Sequence, residues 1–276
     1  MLHGEKSNHQ QMVDDIRQQN TRIGDVCLGL EYSPSLCQTI FQLTKGFCKC
    51  VGAAYRLKFS SNSFHGTKRK ATHNNFRDMK LLNLPNAIIG MREASFDLLS
   101  DEPAVVSAAL GCGISVALAW NKGLLFHAAG LKVADKAMIF LARSGGGKST
   151  IVKHSSNSFC IHDDKIAVMK TRTGWIACSV PLLDNSGRPG NASFASLSGV
   201  YLVEKSDKLF LHRLTPTEAF IKVAKLAYEP TADKELRKLV SENLMELVTD
   251  VPIYCLGYLK GYDVSRLLDE SGHSFS

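Results

Sequence analysis

Residues 137–150 read Ala137-Met138-Ile139-Phe140-Leu141-Ala142-Arg143-Ser144-Gly145-Gly146-Gly147-Lys148-Ser149-Thr150. An apolar run, a glycine-rich turn and then Lys-Ser-Thr predict a buried strand, a loop and the start of a helix. Small residues in such a loop let successive backbone N–H groups turn inward onto phosphate oxygens. Lys148 adds a point charge for the β and γ phosphates, and Ser149 offers a hydroxyl to Mg²⁺. The helix that follows contributes the positive end of its dipole. Ser144, Gly145, Gly146, Gly147, Lys148, Ser149 and Thr150 therefore form the expected nucleotide-binding set. The pattern G-x-x-x-x-G-K-[ST] is met except at its first glycine, where this chain has Ala142.

Upstream of the loop, Leu124 to Ala129 reads as a strand and Val133-Ala134-Asp135-Lys136 as the hairpin turn leading into Ala137 to Leu141. Before it, the apolar stretch from Pro103 to Trp120 predicts a buried helix, with Asp101 as N-cap and Pro103 in the first turn. Ser107, Gly111, Cys112, Gly113 and Ser115 interrupt that stretch, which argues against a membrane span. Gly29 to Phe59 alternates apolar runs with turn residues, as strands and a helix would. Met1 to Asn20 is polar and is expected to fray, and Ser60 to Asn75 is loop-like. Downstream, a short helix to about Ser155 precedes a buried strand, Phe159 to His162, which ends at Asp163-Asp164. Strands are expected at Ile166 to Met169, Trp175 to Val180, Gly199 to Lys205, Leu209 to Arg213 and Pro252 to Tyr258. Asp184 to Asn191 reads as flexible. Thr215-Pro216-Thr217-Glu218 is a capping box opening a helix to Tyr228, and Glu235 to Val248 is a further helix.

The 276-residue chain, with 45% hydrophobic and 21% charged residues, has enough apolar material for a sizeable core. The polar start carries no signal peptide, so a cytoplasmic setting is expected. Eight cysteines lie scattered, without the repeated close pairs of a zinc site: Cys48-Lys49-Cys50 is the only close pair, with a poor ligand spacing, and the set reads as reduced, mostly buried thiols. A net charge of +7 suits an anionic ligand. The densest basic stretch, Lys68-Arg69-Lys70 with Arg77 and Lys80, reads as a solvated loop rather than a nucleic-acid contact.

Asp163-Asp164 sits where phosphate-loop proteins keep an acidic metal ligand, at the carboxyl end of a strand beside the loop. Two adjacent carboxylates allow one to orient Mg²⁺ while the other accepts the proton of an attacking hydroxyl. His127 ends the strand before the loop strand. A single histidine in an apolar strand is, by composition, more often a hydrogen-bonded core residue than a catalytic one. Arg188, in the glycine- and proline-rich stretch, is a candidate lid residue for the γ phosphate, while such a stretch is more often a mobile surface loop. His162 and Lys165 flank the aspartates, and their roles stay open.

Phe126-His127-Ala128-Ala129, the hairpin, Ser144 to Thr150 and Asp163-Asp164 together resemble the catalytic domain of HPr kinase/phosphorylase and its kinase-like relatives. The resemblance covers about Asp101 to Tyr258. It implies an α/β architecture: a P-loop domain of the HPr kinase and phosphoenolpyruvate carboxykinase type, with a mixed, strongly twisted sheet, over 101–276. A small α+β lobe over 1–100 precedes it, for acceptor recognition or assembly. It also implies an active-site histidine at His127, triphosphate on the loop from Ser144 to Thr150, and metal and proton transfer by Asp163 and Asp164. Together with the loop motif and the candidate lid, the expected site is catalytic Asp163, Asp164, His127 and Lys148, nucleotide contacts from Ser144 to Thr150 and Arg188, and Mg²⁺ on Ser149 and Asp164. The late glycine-rich signature of the phosphorylases is not visible, so a kinase with its own acceptor is expected.

The function expected is thus an ATP- and Mg²⁺-dependent kinase that phosphorylates a hydroxyl, such as a serine of a small protein or peptide. Two other readings stay open: a small-molecule kinase acting on free serine or a sugar, and a nucleotide-binding regulator without turnover. The expected partners are the nucleotide and the acceptor, without membrane or nucleic acid, and a homo-oligomer is left open.

Overall fold

Arg17–Ile23 (β1) and Val26–Tyr32 (β2) form an antiparallel hairpin paired from Arg17↔Tyr32 to Ile23↔Val26. In this computed structural model the described residues are 16–47, 55–61, 86–89, 93–98, 100–155, 158–184, 186–227 and 234–267. Helix α1 (Cys37–Thr44), strand β3 (Tyr55–Ser61), β4 (Asn86–Ile89) and β5 (Glu93–Leu98) complete the first sheet, in the order β1-β2-β3-β5-β4. β3 runs parallel to both β2 and β5, and the other pairs are antiparallel. Strand β1 begins within the segment expected to fray. It is an edge strand of mostly polar residues, held by backbone pairing, so no apolar rhythm announces it. The loop expected from Ser60 to Asn75 lies largely outside the described residues, as do the basic stretch from Lys68 to Lys80 and Cys48-Lys49-Cys50.

Pro103–Trp120 (α2) is the 18-residue helix expected from its apolar run. It is long and apolar enough to cross a membrane by composition, yet 72% of it is buried inside the molecule. A helix that is apolar all round needs protein on every side, and this one has the first sheet on one flank and the second on the other. Gly113 lets β3 come close, since a Cβ there would lie 2.5 Å from Cδ2 of Leu57. The expected N-cap is corrected by one position: Glu102 occupies it, without a side-chain cap, and Pro103 at the first helical position leaves one fewer N–H to satisfy. Leu110 is fully buried, and its truncation to alanine would cost about 2–5 kcal/mol.

The second sheet contains β6 (Gly123–Val133), β7 (Lys136–Leu141), β8 (Phe159–His162), β9 (Lys165–Thr171), β10 (Gly174–Cys178), β11 (Phe194–Lys205), β12 (Phe210–Arg213) and β13 (Ile253–Tyr258). Its order is β10-β9-β6-β7-β11-β13-β12, with β8 also on β6. β10 pairs with β11 as well, so the sheet curls until β9, β6, β7, β11 and β10 close a ring. β11 is parallel to β7 and β13, and the remaining pairs are antiparallel. Both sheets are therefore mixed, and the architecture is α/β.

Helices α3 (Lys148–His154), α4 (Pro216–Ala224) and α5 (Lys234–Asp250) are the remaining α-helices among the described residues. The capping box at Thr215 and Glu218 is formed. Helix α4 ends at Ala224, short of the expected end at Tyr228, which lies outside the described residues. One apolar core runs from Ile23 and Leu57 through Ile114 and Leu118 to Leu125, Val168 and Val200, across the expected lobe boundary at residue 100. β7 is buried on both faces: Ala137, Ile139 and Leu141 face this core, while Met138 and Phe140 face a second cluster with Ile151 and Tyr201. That double burial explains its unbroken apolar run. Cys27 is disulfide-bonded, a departure from the all-reduced expectation, and Cys37, Cys112, Cys160, Cys178 and Cys255 are free thiols.

Candidate functional site

β7 delivers the chain into the loop at Ala142, and the turn that follows is built by backbone geometry. Gly145 and Gly147 have φ of +73° and +101°, in the left-handed region that favours glycine, and space is open where a Cβ would stand at either. The amide of Gly146 donates to the Arg143 carbonyl at 2.9 Å, and that of Ile151 to the Gly147 carbonyl at 3.0 Å. A Cβ on Gly146 would lie 2.6 Å from Cβ of Ala142 and 2.8 Å from the Arg143 oxygen. The loop thus accommodates a methyl at 142 because residue 146 has none. Lys148 is buried, and Nζ donates to the Ala142 carbonyl at 2.8 Å. Burial pushes the Lys148 ammonium below its usual pKa, and the charges of Asp164 and Asp163 oppose that shift.

Asp163 and Asp164 form the bend between β8 and β9. The Ser149 hydroxyl stands beside the Asp163 carboxyl and favours its charged form, bringing the loop and the bend together. Burial raises the Asp163 pKa above the ordinary value, with the nearby Ser149 hydroxyl working against it, and Oδ1 is buried without a hydrogen-bond partner. Asp164 has a side chain only 8% exposed and is taken up elsewhere. Lys165 Nζ pairs with Oδ2, and Nδ1 of His127 stands 2.9 Å from Oδ1, off the axis of a directed hydrogen bond. Burial pushes this carboxyl upward, but His127 and Lys165 prevail and hold it well below the usual carboxylate range. The backbone fixes the same contact: Ala128 N donates to the Asp164 carbonyl at 3.1 Å, and His127 is registered against Lys165. Of the two carboxylates, Asp163 stands beside Ser149, and Asp164 stands against His127 and Lys165.

His162 plays a part that its place in the sequence left open. Its ring is buried; Nδ1 accepts from the amides of Asp164 and Lys165 at 3.1 and 3.2 Å, and Nε2 faces the Leu182 carbonyl at 3.2 Å. Burial lowers its pKa, partly countered by the Leu182 contact. Only the run Cys160-Ile161-His162, which predicts a buried strand, signals an inward ring; the acceptor role depends on the bend.

Asp184 to Asn191, expected to be flexible, holds an organised turn among its described residues. Oδ1 of Asp184 accepts from Ser186 N, Ser186 Oγ and Arg188 N at 2.8, 2.6 and 2.9 Å. Arg188, expected at the γ phosphate, has a side chain 79% exposed and bonds Ser186 Oγ through Nε at 2.7 Å. Asp184 stands within electrostatic reach of Asp163, a third carboxylate that the sequence reading missed.

Among the described residues no cluster of three or more His, Cys, Asp or Glu side chains could hold a metal ion by itself. Mg²⁺ rarely uses such a cage; it takes one or two protein oxygens and completes its shell with phosphate and water. The unpartnered Oδ1 of Asp163 beside the Ser149 hydroxyl, next to an open glycine cradle, fits that requirement. In comparisons with protein-family models and with curated proteins, nothing matches this chain.

Proposed function

We propose that the protein is an ATP- and Mg²⁺-dependent kinase of the HPr-kinase-like type, phosphorylating a hydroxyl, in the first instance a serine of a small protein or peptide. One observation carries the reading: the glycine loop, the Ser149–Asp163 pair and the Asp164–His127 pair converge from three separate elements of the chain. In this reading Gly145 to Ser149 cradle the phosphates and Lys148 gives up the Ala142 carbonyl for a phosphate oxygen. Ser149 and Asp163 would hold Mg²⁺, whose charge offsets that of the phosphates.

The two carboxylates then have different tasks. Asp164 is buried and its affinity for a proton is low, so it is a poor base and a hydroxyl cannot easily reach it. His127 has a side chain 40% exposed and is backed by that carboxylate. A base held by a buried carboxylate is a recurrent way to activate a hydroxyl. We assign His127 as the group that takes the acceptor proton, on Nε2. The acceptor oxygen bonds to the γ phosphorus as the bond to the β–γ bridging oxygen breaks, and ADP leaves.

The test is transfer of label from γ-labelled ATP, with Mg²⁺, to a panel of small proteins, serine peptides, free serine and sugars, with Lys148→Ala as control. Label on a protein or peptide supports the reading, and label on a metabolite replaces its acceptor class. ATP binding without transfer to any of them would sink it in favour of a nucleotide-gated regulator.

A further inference from the structure

We infer that His162 is a positioning residue: its ring sets the direction of the Asp163 and Asp164 side chains and ties their bend to the segment 182–190. This rests on the phosphoryl-transfer reading for its consequence in turnover, but not for its structural content.

Adjacent residues on an extended strand point to opposite faces, so both carboxylates serve one site only if the chain bends between the strands and stays bent. The bend has few backbone bonds of its own. Two of its amides, those of Asp164 and Lys165, go to Nδ1 of His162 at 3.1 and 3.2 Å. Backbone amides can only donate, so Nδ1 must carry the lone pair and the ring proton sits on Nε2, facing the Leu182 carbonyl at 3.2 Å. That carbonyl also accepts from Gly190 N at 3.1 Å.

The ring is 4% exposed and lies against Gly190, where a Cβ would come 2.7 Å from Cδ2 of His162 and 2.4 Å from the Val180 carbonyl. It cannot move away without breaking a contact on each side. Its far anchor, Leu182, stands two residues before Asp184, whose charge reaches Asp163. The imidazole thus connects the bend that carries the carboxylates to the loop that carries Asp184 and Arg188, while touching neither carboxylate oxygen.

Two near-isosteric variants separate the ring's two ends. His162→Asn keeps an acceptor near the position of Nδ1, and His162→Gln keeps a donor near that of Nε2 and loses the acceptor. Amide hydrogen exchange of Asp164 and Lys165 is read by NMR, together with the ¹⁵N shifts of the His162 ring in the unaltered chain. The expected result is the Nε2–H tautomer, amides protected in the unaltered chain and in His162→Asn, and fast exchange in His162→Gln.

In turnover, His162→Gln should lose about 10- to 100-fold in kcat, as for other residues that orient a ligand from behind, with KM for ATP little changed because the glycine loop is untouched. His162→Asn should recover most of the loss. An Nδ1–H tautomer, or equal amide exchange in all three proteins, overturns the inference. So does an equal loss of kcat in both variants, which would mean that the ring only fills space. If the unaltered chain transfers no phosphate at all, the kinase reading fails, and the tautomer and exchange data still decide the role of the ring.

Discussion

Nδ1 of His127 lies 2.9 Å from Oδ1 of Asp164, a partly exposed ring backed by a buried carboxylate. Of the two, only the histidine offers a proton acceptor at the surface. His127→Ala is expected to lower turnover by about 10²- to 10⁴-fold, the usual share of a positioned general base, with ATP affinity intact. Steady-state kinetics beside equilibrium nucleotide binding checks this. Full turnover in the variant would return the base to an aspartate.

Lys148 is a buried cation held by one carbonyl and by charges that only partly offset its burial. Lys148→Met keeps the volume of the side chain and removes that desolvation cost, so the variant is expected to melt at or above the temperature of the unaltered chain. The rise in melting temperature that saturating ATP gives the unaltered chain should disappear in the variant. A ligand-induced rise of the same size in both proteins would separate Lys148 from the nucleotide.

Asp163 and Asp164 should respond to acid in opposite senses. The folded-state pKa of Asp163 is raised, so its charge costs stability at neutral pH, and the cost is relieved as pH falls through that pKa. Asp163→Asn is therefore expected to be more stable than the unaltered chain at neutral pH, with the difference closing on acidification. The folded-state pKa of Asp164 is depressed, so its contribution is complete above the unfolded value of about 3.9 and is lost as pH falls below it. Asp164→Asn should be destabilised by about 3 kcal/mol at neutral pH, because Lys165 loses its partner, and should approach the unaltered chain only in strong acid. Urea denaturation from neutral pH to about pH 3 separates the two curves.

Gly146→Ala brings two methyl groups together at 2.6 Å, so the loop cannot keep its turn. ATP binding should weaken sharply, while circular dichroism remains that of a folded chain. Ala142→Gly removes one of the two methyls and should restore part of the binding in the double variant. The restoration stays partial because the Arg143 carbonyl at 2.8 Å still crowds the new Cβ.

The parts of this fold that could be read early are those written in local chemistry. The apolar run of β7, the glycines that follow and the Thr215–Glu218 cap each announce themselves within a few residues. Strand β1 does not, because its pairing with β2 needs only backbone groups, and side chains of mixed polarity carry no rhythm. Nor does the closure of β10 onto β11, a contact between residues about twenty positions apart that depends on how far the whole sheet curls. At the site, residue types were legible and directions were not. The bend that carries Asp163 and Asp164 has two of its amides on Nδ1 of His162, whose other nitrogen faces the Leu182 carbonyl twenty residues further on, and no local pattern announces that pairing.

Helix α2 bears on how the chain is made. Its 18 residues have a mean hydropathy of 1.7 and draw their cover from strands on both sides in sequence. During synthesis the first sheet can reach it early, but β6, β9 and β11 emerge only later. Until they arrive, the nascent chain exposes a long apolar helix, the kind of surface that aggregates and that chaperones shield. Loss of the strands that complete its cover would thus matter first at the ribosome, as aggregation or chaperone capture of the unfinished chain.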